Sequence, residues 1–156
     1  MKRRLALILL LAACSSEAEL EPKSGVWNYN GSQVVMSTCG DNPPTDAVGK
    51  FTLEVTGAGK FTVNDENFSN SFECTYEGGS FDCPTRLAES NTPIDGIDAT
   101  VFYNVSITGT IDSELELSGT QNVELSCEGT GCSLAVPSIV PQLPCDYSYT
   151  FSATAT

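Results

Sequence analysis

Apolar residues recur at every second position from Gly25 to the C-terminus, in short runs separated by turn formers. KFTLEVT alternates Phe51, Leu53 and Val55 with Thr52, Glu54 and Thr56, and KFTVN repeats the pattern with Phe61 and Val63. SFECTYE sets Phe72, Cys74 and Tyr76 on one face, and SFDC sets Phe81 and Cys83. Val101, Tyr103, Val105 and Ile107 follow, then Leu115, Leu117, Val123, Leu125 and Cys127, then Tyr147, Tyr149, Phe151 and Ala153. A period of two describes strands with one face buried and the other in water. No segment carries a helical period of useful length. The pattern predicts an all-β antiparallel meander of about eight strands, at roughly 25–36, 49–57, 60–65, 71–77, 80–86, 99–111, 115–127 and 146–155. Closing such a meander into an up-and-down barrel removes its exposed edges. A closed barrel is therefore the expected architecture, with a β-sandwich as the alternative.

Parity constrains the hairpins. The inward residues of the second and third strands are all odd-numbered, so facing pairs sum to an even number. A three-residue loop, Gly57-Ala58-Gly59, meets this condition and places Val55 opposite Phe61 and Leu53 opposite Val63. The same reasoning gives a loop at Asp112-Ser113-Glu114, with Ile111 opposite Leu115, Ile107 opposite Gly119 and Val105 opposite Gln121. A two-residue turn at Gly78-Gly79 pairs Tyr76 with Phe81 and Cys74 with Cys83. The two cysteines then occupy a non-hydrogen-bonded site, where α-carbons approach to about 4.5 Å. A disulfide can bridge that distance.

Six cysteines follow Cys14: Cys39, Cys74, Cys83, Cys127, Cys132 and Cys145. An even number in an exported chain predicts three disulfides formed in an oxidising compartment. Besides Cys74–Cys83, Cys127–Cys132 is the local pairing. Cys39–Cys145 would tie the end of the first strand to the start of the last, which become neighbours when the meander closes. All four of these cysteines lie at one end, so other pairings among them stay open.

Ahead of the strands, Lys2, Arg3 and Arg4 precede an apolar stretch from Leu5 to Ala13. A charged start and an apolar run of about ten residues ending in small side chains describe a secretory signal, too short to span a membrane. Leu11-Ala12-Ala13-Cys14 resembles the lipobox of bacterial lipoproteins. In that family the peptide is cleaved before the cysteine, whose thiol and new amino group are acylated with fatty acids such as palmitate. The resemblance implies a signal peptide over 1–13, a lipidated tether over 14–24 and a single barrel domain over 25–156. It also implies an exported protein held at the cell envelope through Cys14. Ser15, in place of the aspartate that retains such proteins at the inner membrane, directs it to the outer membrane where the host has one.

Charge sharpens that expectation. After Cys14 only Lys23, Lys50, Lys60 and Arg86 face twenty acidic residues, a net charge of −16. Such a field repels nucleic acid and anionic headgroups. The membrane is then reached through acyl chains, several of which hold firmly where one holds weakly.

Gly25-Val26-Trp27 looks like the Gly-X-Trp signature of lipocalins and related eight-stranded barrels. The resemblance implies a barrel with a ligand cavity and a tryptophan packed over its closed end. Read from the residue alone, Trp27 is an anchoring core aromatic. The inward aromatics either fill the interior, the reading taken here, or line an apolar pocket. Trp27, Tyr103, Gln121 and Tyr149 are the candidate ligand contacts. For Gln121 the expectation is a bulge at Gly119 that turns it outward.

Little else suggests chemistry. The chain has no histidine, which removes the commonest general base and the usual Ser-His and Cys-His nucleophile pairs. Asp95-Gly96-Ile97-Asp98 is rich in oxygen donors of the kind calcium takes, but it matches no metal-loop spacing, and no metal or cofactor is expected. Ser133 to Pro144 is uncharged, with three prolines, and reads as a cap over one barrel end. The sequence thus predicts a lipid-anchored, non-catalytic structural or interaction module of the cell envelope. The alternative is a carrier of a small apolar ligand.

Overall fold

The computed structural model describes residues 20–41, 48–65, 70–92, 95–135 and 140–156. Residues 1–19, with the expected signal peptide and Cys14, lie outside the described residues. Eight strands form a closed antiparallel barrel in chain order. They are β1 (Gly25–Ser37), β2 (Val48–Gly57), β3 (Lys60–Asp65), β4 (Phe72–Glu77), β5 (Ser80–Asn91), β6 (Thr100–Ser113), β7 (Glu116–Glu128) and β8 (Cys145–Ala155). A single helical turn, α1 (Cys132–Ala135), stands between β7 and β8. β1 closes the barrel by pairing antiparallel with β8, from Trp27 opposite Ala155 to Ser37 opposite Tyr147.

The β2–β3 hairpin has the expected register, with Val55 opposite Phe61 and Leu53 opposite Val63. Its turn is tighter than the predicted loop. Gly57 pairs with Lys60, Thr56 is left as the extra residue, and Gly59 takes the left-handed conformation with φ of +69°. A glycine relieves the Cβ penalty of that conformation.

Two further sequence expectations are corrected. β5 continues to Asn91, past the expected end near residue 86. Pro84 has no N–H to give the ladder, and register shifts between Cys83 and Arg86 and between Leu87 and Glu89 hide the alternation. The β6–β7 register differs by two residues from that expected. Ile111 faces Leu117, Gly109 faces Gly119, Ile107 faces Gln121 and Val105 faces Val123. Asp112 and Ser113 extend the strand instead of looping, so Leu115 falls at the turn and is 48% exposed. A two-residue slip keeps every side chain on its own face, so the inward set otherwise survives.

All inward faces share one core, from Trp27, Leu53 and Phe61 to Val105, Leu125 and Tyr147. The outer wall is polar: Thr52, Glu54, Glu73, Thr75, Glu77, Asp82, Thr108 and Glu124 are exposed. Membrane-spanning barrels carry the reverse, an apolar band outside. Three disulfides complete the fold: Cys39–Cys145, Cys74–Cys83 and Cys127–Cys132, with Cα separations of 5.0, 4.1 and 6.0 Å.

The barrel has two unlike ends. The β2–β3, β4–β5 and β6–β7 turns gather at one, with the C-terminus. Residues 20–24, expected to belong to the tether, close this short-turn end. Pro22 is fully buried. Lys23 N donates to Glu114 O at 2.8 Å, Val55 N donates to Ser24 Oγ at 2.9 Å, and Tyr76 Oη donates to Glu21 Oε2 at 2.7 Å. The opposite end carries the long connections and two disulfides, Cys39–Cys145 and Cys127–Cys132.

Candidate functional site

The interior of the barrel is the candidate site. Its rings meet: Phe61 lies edge-on to Phe81 at 5.6 Å between centroids and tilts against Tyr76 at 6.0 Å. Trp27 stacks on Phe51 at 6.1 Å, and Tyr147 on Tyr149 at 6.4 Å. Three inward glycines make room for rings. A Cβ on Gly49 would stand 2.4 Å from the Tyr29 ring, one on Gly109 2.7 Å from the Phe81 ring, and one on Gly119 3.0 Å from the Phe151 ring. Phe81, Gly109, Gly119 and Phe151 form a continuous register row across β5, β6, β7 and β8. The space released by the glycines is taken by neighbouring aromatics.

What remains is a cavity of about 40 Å³, bordered by Phe51, Phe61, Phe72, Ile107, Gln121 and Tyr149 among others. At about 10–15 Å³ per water centre, that is room for a few waters. Small-molecule pockets run to hundreds of Å³.

The predicted contacts divide. Gln121 and Tyr149 face each other in register and both border the cavity. The bulge expected to turn Gln121 outward is absent, because the β7 ladders with β6 and β8 run unbroken through Gly119 and Gln121. Gly119 faces Gly109 and fits without distortion, so the strand keeps its phase. Trp27 lies just inside the short-turn end, wholly buried, with its Nε1 donating to Lys23 O at 2.9 Å. Tyr103 stands apart on β6, opposite Glu89. Burial pushes its phenol above the ordinary value of 10.0; the nearby Glu89 charge adds to this, and a bond from Asn91 opposes it. Sequence reasoning missed Tyr29 and Gly49, although the inward parity of Gly49 is readable from Phe51.

A polar feature sits where β4 meets β5. Arg86, the only arginine after Cys14, lies 3.7 Å above the Phe72 ring centre. Its Nη2 donates to Asn70 O at 2.5 Å, and Asn70 Nδ2 donates to Leu87 O at 3.1 Å. These contacts clamp Asn70, at the end of the β3–β4 connection, to β5. Burial lowers the guanidinium pKa. Arg86 Nε and Asn91 Oδ1 are buried without hydrogen-bond partners.

At the long-loop end Asp98 acts as a loop staple. Its Oδ2 accepts from Thr130 N at 3.0 Å and from Thr130 Oγ1 at 2.9 Å, while its backbone oxygen accepts from Gly131 N at 2.8 Å. The Thr130 bonds, backbone first, hold its carboxyl below the usual range. Among the described residues no three His, Cys, Asp or Glu side chains gather as a metal site. Within the apolar run before β8, Val140 is buried and Leu143 packs against the core. Gln142 Nε2 donates to Thr38 O at 3.0 Å.

No protein-family model, curated protein or solved structure matches the chain.

Proposed function

We propose that the protein is a lipid-anchored module of the bacterial cell envelope, exported, cleaved before Cys14, and acylated there. The observation that carries this reading is the cysteine pairing. Six of the seven cysteines close on one another within the barrel domain, so Cys14 alone is left over, directly behind an apolar stretch that ends in Leu11-Ala12-Ala13. Disulfides of this kind persist where the compartment is oxidising, which agrees with export. The polar outer wall supports attachment by acyl chains rather than by the strands.

The role at the membrane is non-catalytic, a structural or interaction module. Its interior is packed with rings, and its carboxylates are spread over an exposed surface. The test is metabolic labelling with a fatty acid followed by intact mass. The wild type should carry label and the acyl mass, and Cys14→Ser should carry neither. An unlabelled wild type, or a labelled Cys14→Ser protein, would sink the reading.

A second reading is favoured by one observation: Gln121 turns into an apolar cavity with Tyr149 opposite. A small apolar ligand could take that space only if the rings moved apart. Native mass spectrometry of a mature chain carrying Cys14→Ser decides it. A co-purifying hydrophobic molecule supports the carrier, and a bare mass counts against it.

A further inference from the structure

We infer that the barrel stands on the membrane by its short-turn end and presents its long-loop end, with most of its exposed apolar side chains, to the aqueous compartment. This rests on acylation at Cys14 and goes beyond it to the surface that faces the bilayer.

The argument begins with where the chain enters the barrel. Residues 20–24 are fixed at the short-turn end by the buried ring of Pro22 and by bonds to three elements. Those bonds reach Tyr76 on β4, Glu114 in the β6–β7 turn and Val55 on β2. Leu20 lies six residue steps beyond Cys14. At about 3.5 Å per residue, a fully extended chain of that length reaches at most about 21 Å. The entry point on the barrel therefore cannot stand farther than this from the acylated cysteine. β7 has 13 residues; at about 3.3 Å per residue and a tilt of about 40°, the barrel is roughly 30 Å tall. In an upright barrel the long-loop end is beyond the reach of the tether.

Charge does not choose between an upright and a flat pose. Exposed carboxylates lie both on the side wall, at Glu54, Glu73, Asp82 and Glu124, and at the short-turn end, at Glu77, Asp112, Glu114 and Glu116. The orientation rests on where the short tether enters the barrel. The exposed apolar residues Val34, Val35, Met36, Val48 and Leu134, at 40–71% exposure, belong to the long-loop end: the last turns of β1, the first residue of β2, and α1. By shape alone they could be taken for a membrane-inserting patch. The anchoring geometry holds them away from the lipid.

The experiment uses the full acylated chain in vesicles of zwitterionic and anionic phospholipid. A fluorophore is attached through an added cysteine at Glu77→Cys, beside the β4–β5 turn, or at Asp95→Cys, in the β5–β6 connection. Energy transfer to an acceptor dye in the bilayer is then compared. Transfer should be several-fold stronger from residue 77 than from residue 95. A 20-residue Gly-Ser insertion after Ala18 should weaken transfer from residue 77. The pair Ala58→Cys and Thr92→Cys repeats the comparison should either first variant misfold. Equal transfer from both ends, or stronger transfer from residue 95, overturns the orientation in protein whose intact mass carries the acyl groups. Protein without acyl mass removes the anchor itself and the orientation with it, so the two failures are told apart by the mass spectrum.

Discussion

Gly119 lies directly opposite Gly109 in the β6–β7 ladder, and the two glycines are flanked in the same row by Phe81 and Phe151. A Cβ at residue 109 would stand 2.2 Å from Ser118 O, and one at residue 119 would stand 2.3 Å from Thr108 O. Both obstacles are backbone atoms of the partner strand, which cannot swing aside as a side chain can. Gly109→Ala and Gly119→Ala should each destabilise the barrel by about 1–3 kcal/mol, the usual cost of overpacking. Gly57→Ala, whose Cβ meets nothing within 4 Å, should stay within about 0.5 kcal/mol. Urea titrations of the three variants check this. Equal midpoints would mean that the ladder yields at the glycine row.

The same row marks the limit of what the chain disclosed in advance. Alternation alone yields the approximate number of strands and their faces, because each inward residue must bury itself whatever its partner. Register between β6 and β7 was harder to read. A shift of two residues leaves the faces unchanged, so the hydrophobic pattern gives no penalty for Ile111 opposite Leu115 instead of Leu117. Turn chemistry could have decided it, but Asp112, Ser113 and Glu114 offer no glycine in the left-handed position. Where Gly78-Gly79 supplies that signal, the register and the Cys74–Cys83 bridge follow correctly. The inward direction of Gln121 is hidden in the sequence because a lone glycine in a strand ordinarily suggests a bulge. The partner that makes Gly119 regular is Gly109, and their pairing depends on the register that was not legible. The packing of residues 20–24 against the barrel is hidden in the sequence for a different reason. Glu21, Pro22 and Lys23 have the composition of a linker, and only the positions of Tyr76 and Glu114 across the barrel end show that they are held.

The three disulfides should rank by the chain they enclose. Sequence separations are 106 for Cys39–Cys145, 9 for Cys74–Cys83 and 5 for Cys127–Cys132. The loss of unfolded-chain entropy gives roughly 4.8, 2.6 and 2.1 kcal/mol for closing loops of those lengths. Double Cys→Ala variants should therefore lose stability in that order. Cys39 and Cys145 are also buried at the junction of β1 and β8, so their loss opens the seam that closes the barrel. Thermal melts of the three double variants test the order. A Cys127–Cys132 variant as damaged as the Cys39–Cys145 one would show that the enclosed loop length does not govern.

Trp27 is the only tryptophan in the chain and is 0% exposed, so its emission should be blue-shifted in the folded protein and move to the red on unfolding. Trp27→Phe keeps a ring against Phe51 but loses the indole bond to Lys23 O, at a cost of about 1–3 kcal/mol for the carbonyl left without its donor. Trp27→Ala also removes a large buried ring and should cost about 3–5 kcal/mol. Denaturant midpoints of the two variants, followed by circular dichroism, measure the difference. A Phe variant as damaged as the Ala variant would place the whole effect in the hydrogen bond and the closure of the barrel end.

The Asp98 staple predicts a pH dependence with a definite sign. Its carboxyl is held below its ordinary value of 3.8 by two bonds from Thr130. A group whose pKa is depressed on folding contributes stability that is fully present above the unfolded value and is lost as pH falls through the lower, folded one. The β7–β8 connection should therefore hold unchanged down to about pH 4 and loosen only below it. The amide proton of Thr130 should report this, its chemical shift titrating with a midpoint below 3.8. Asp98→Asn removes the charge while keeping one side-chain acceptor, and should abolish that titration while leaving the amide bonded. A Thr130 shift that titrated at or above 3.8, or persisted in Asp98→Asn, would assign the pH response to another carboxylate.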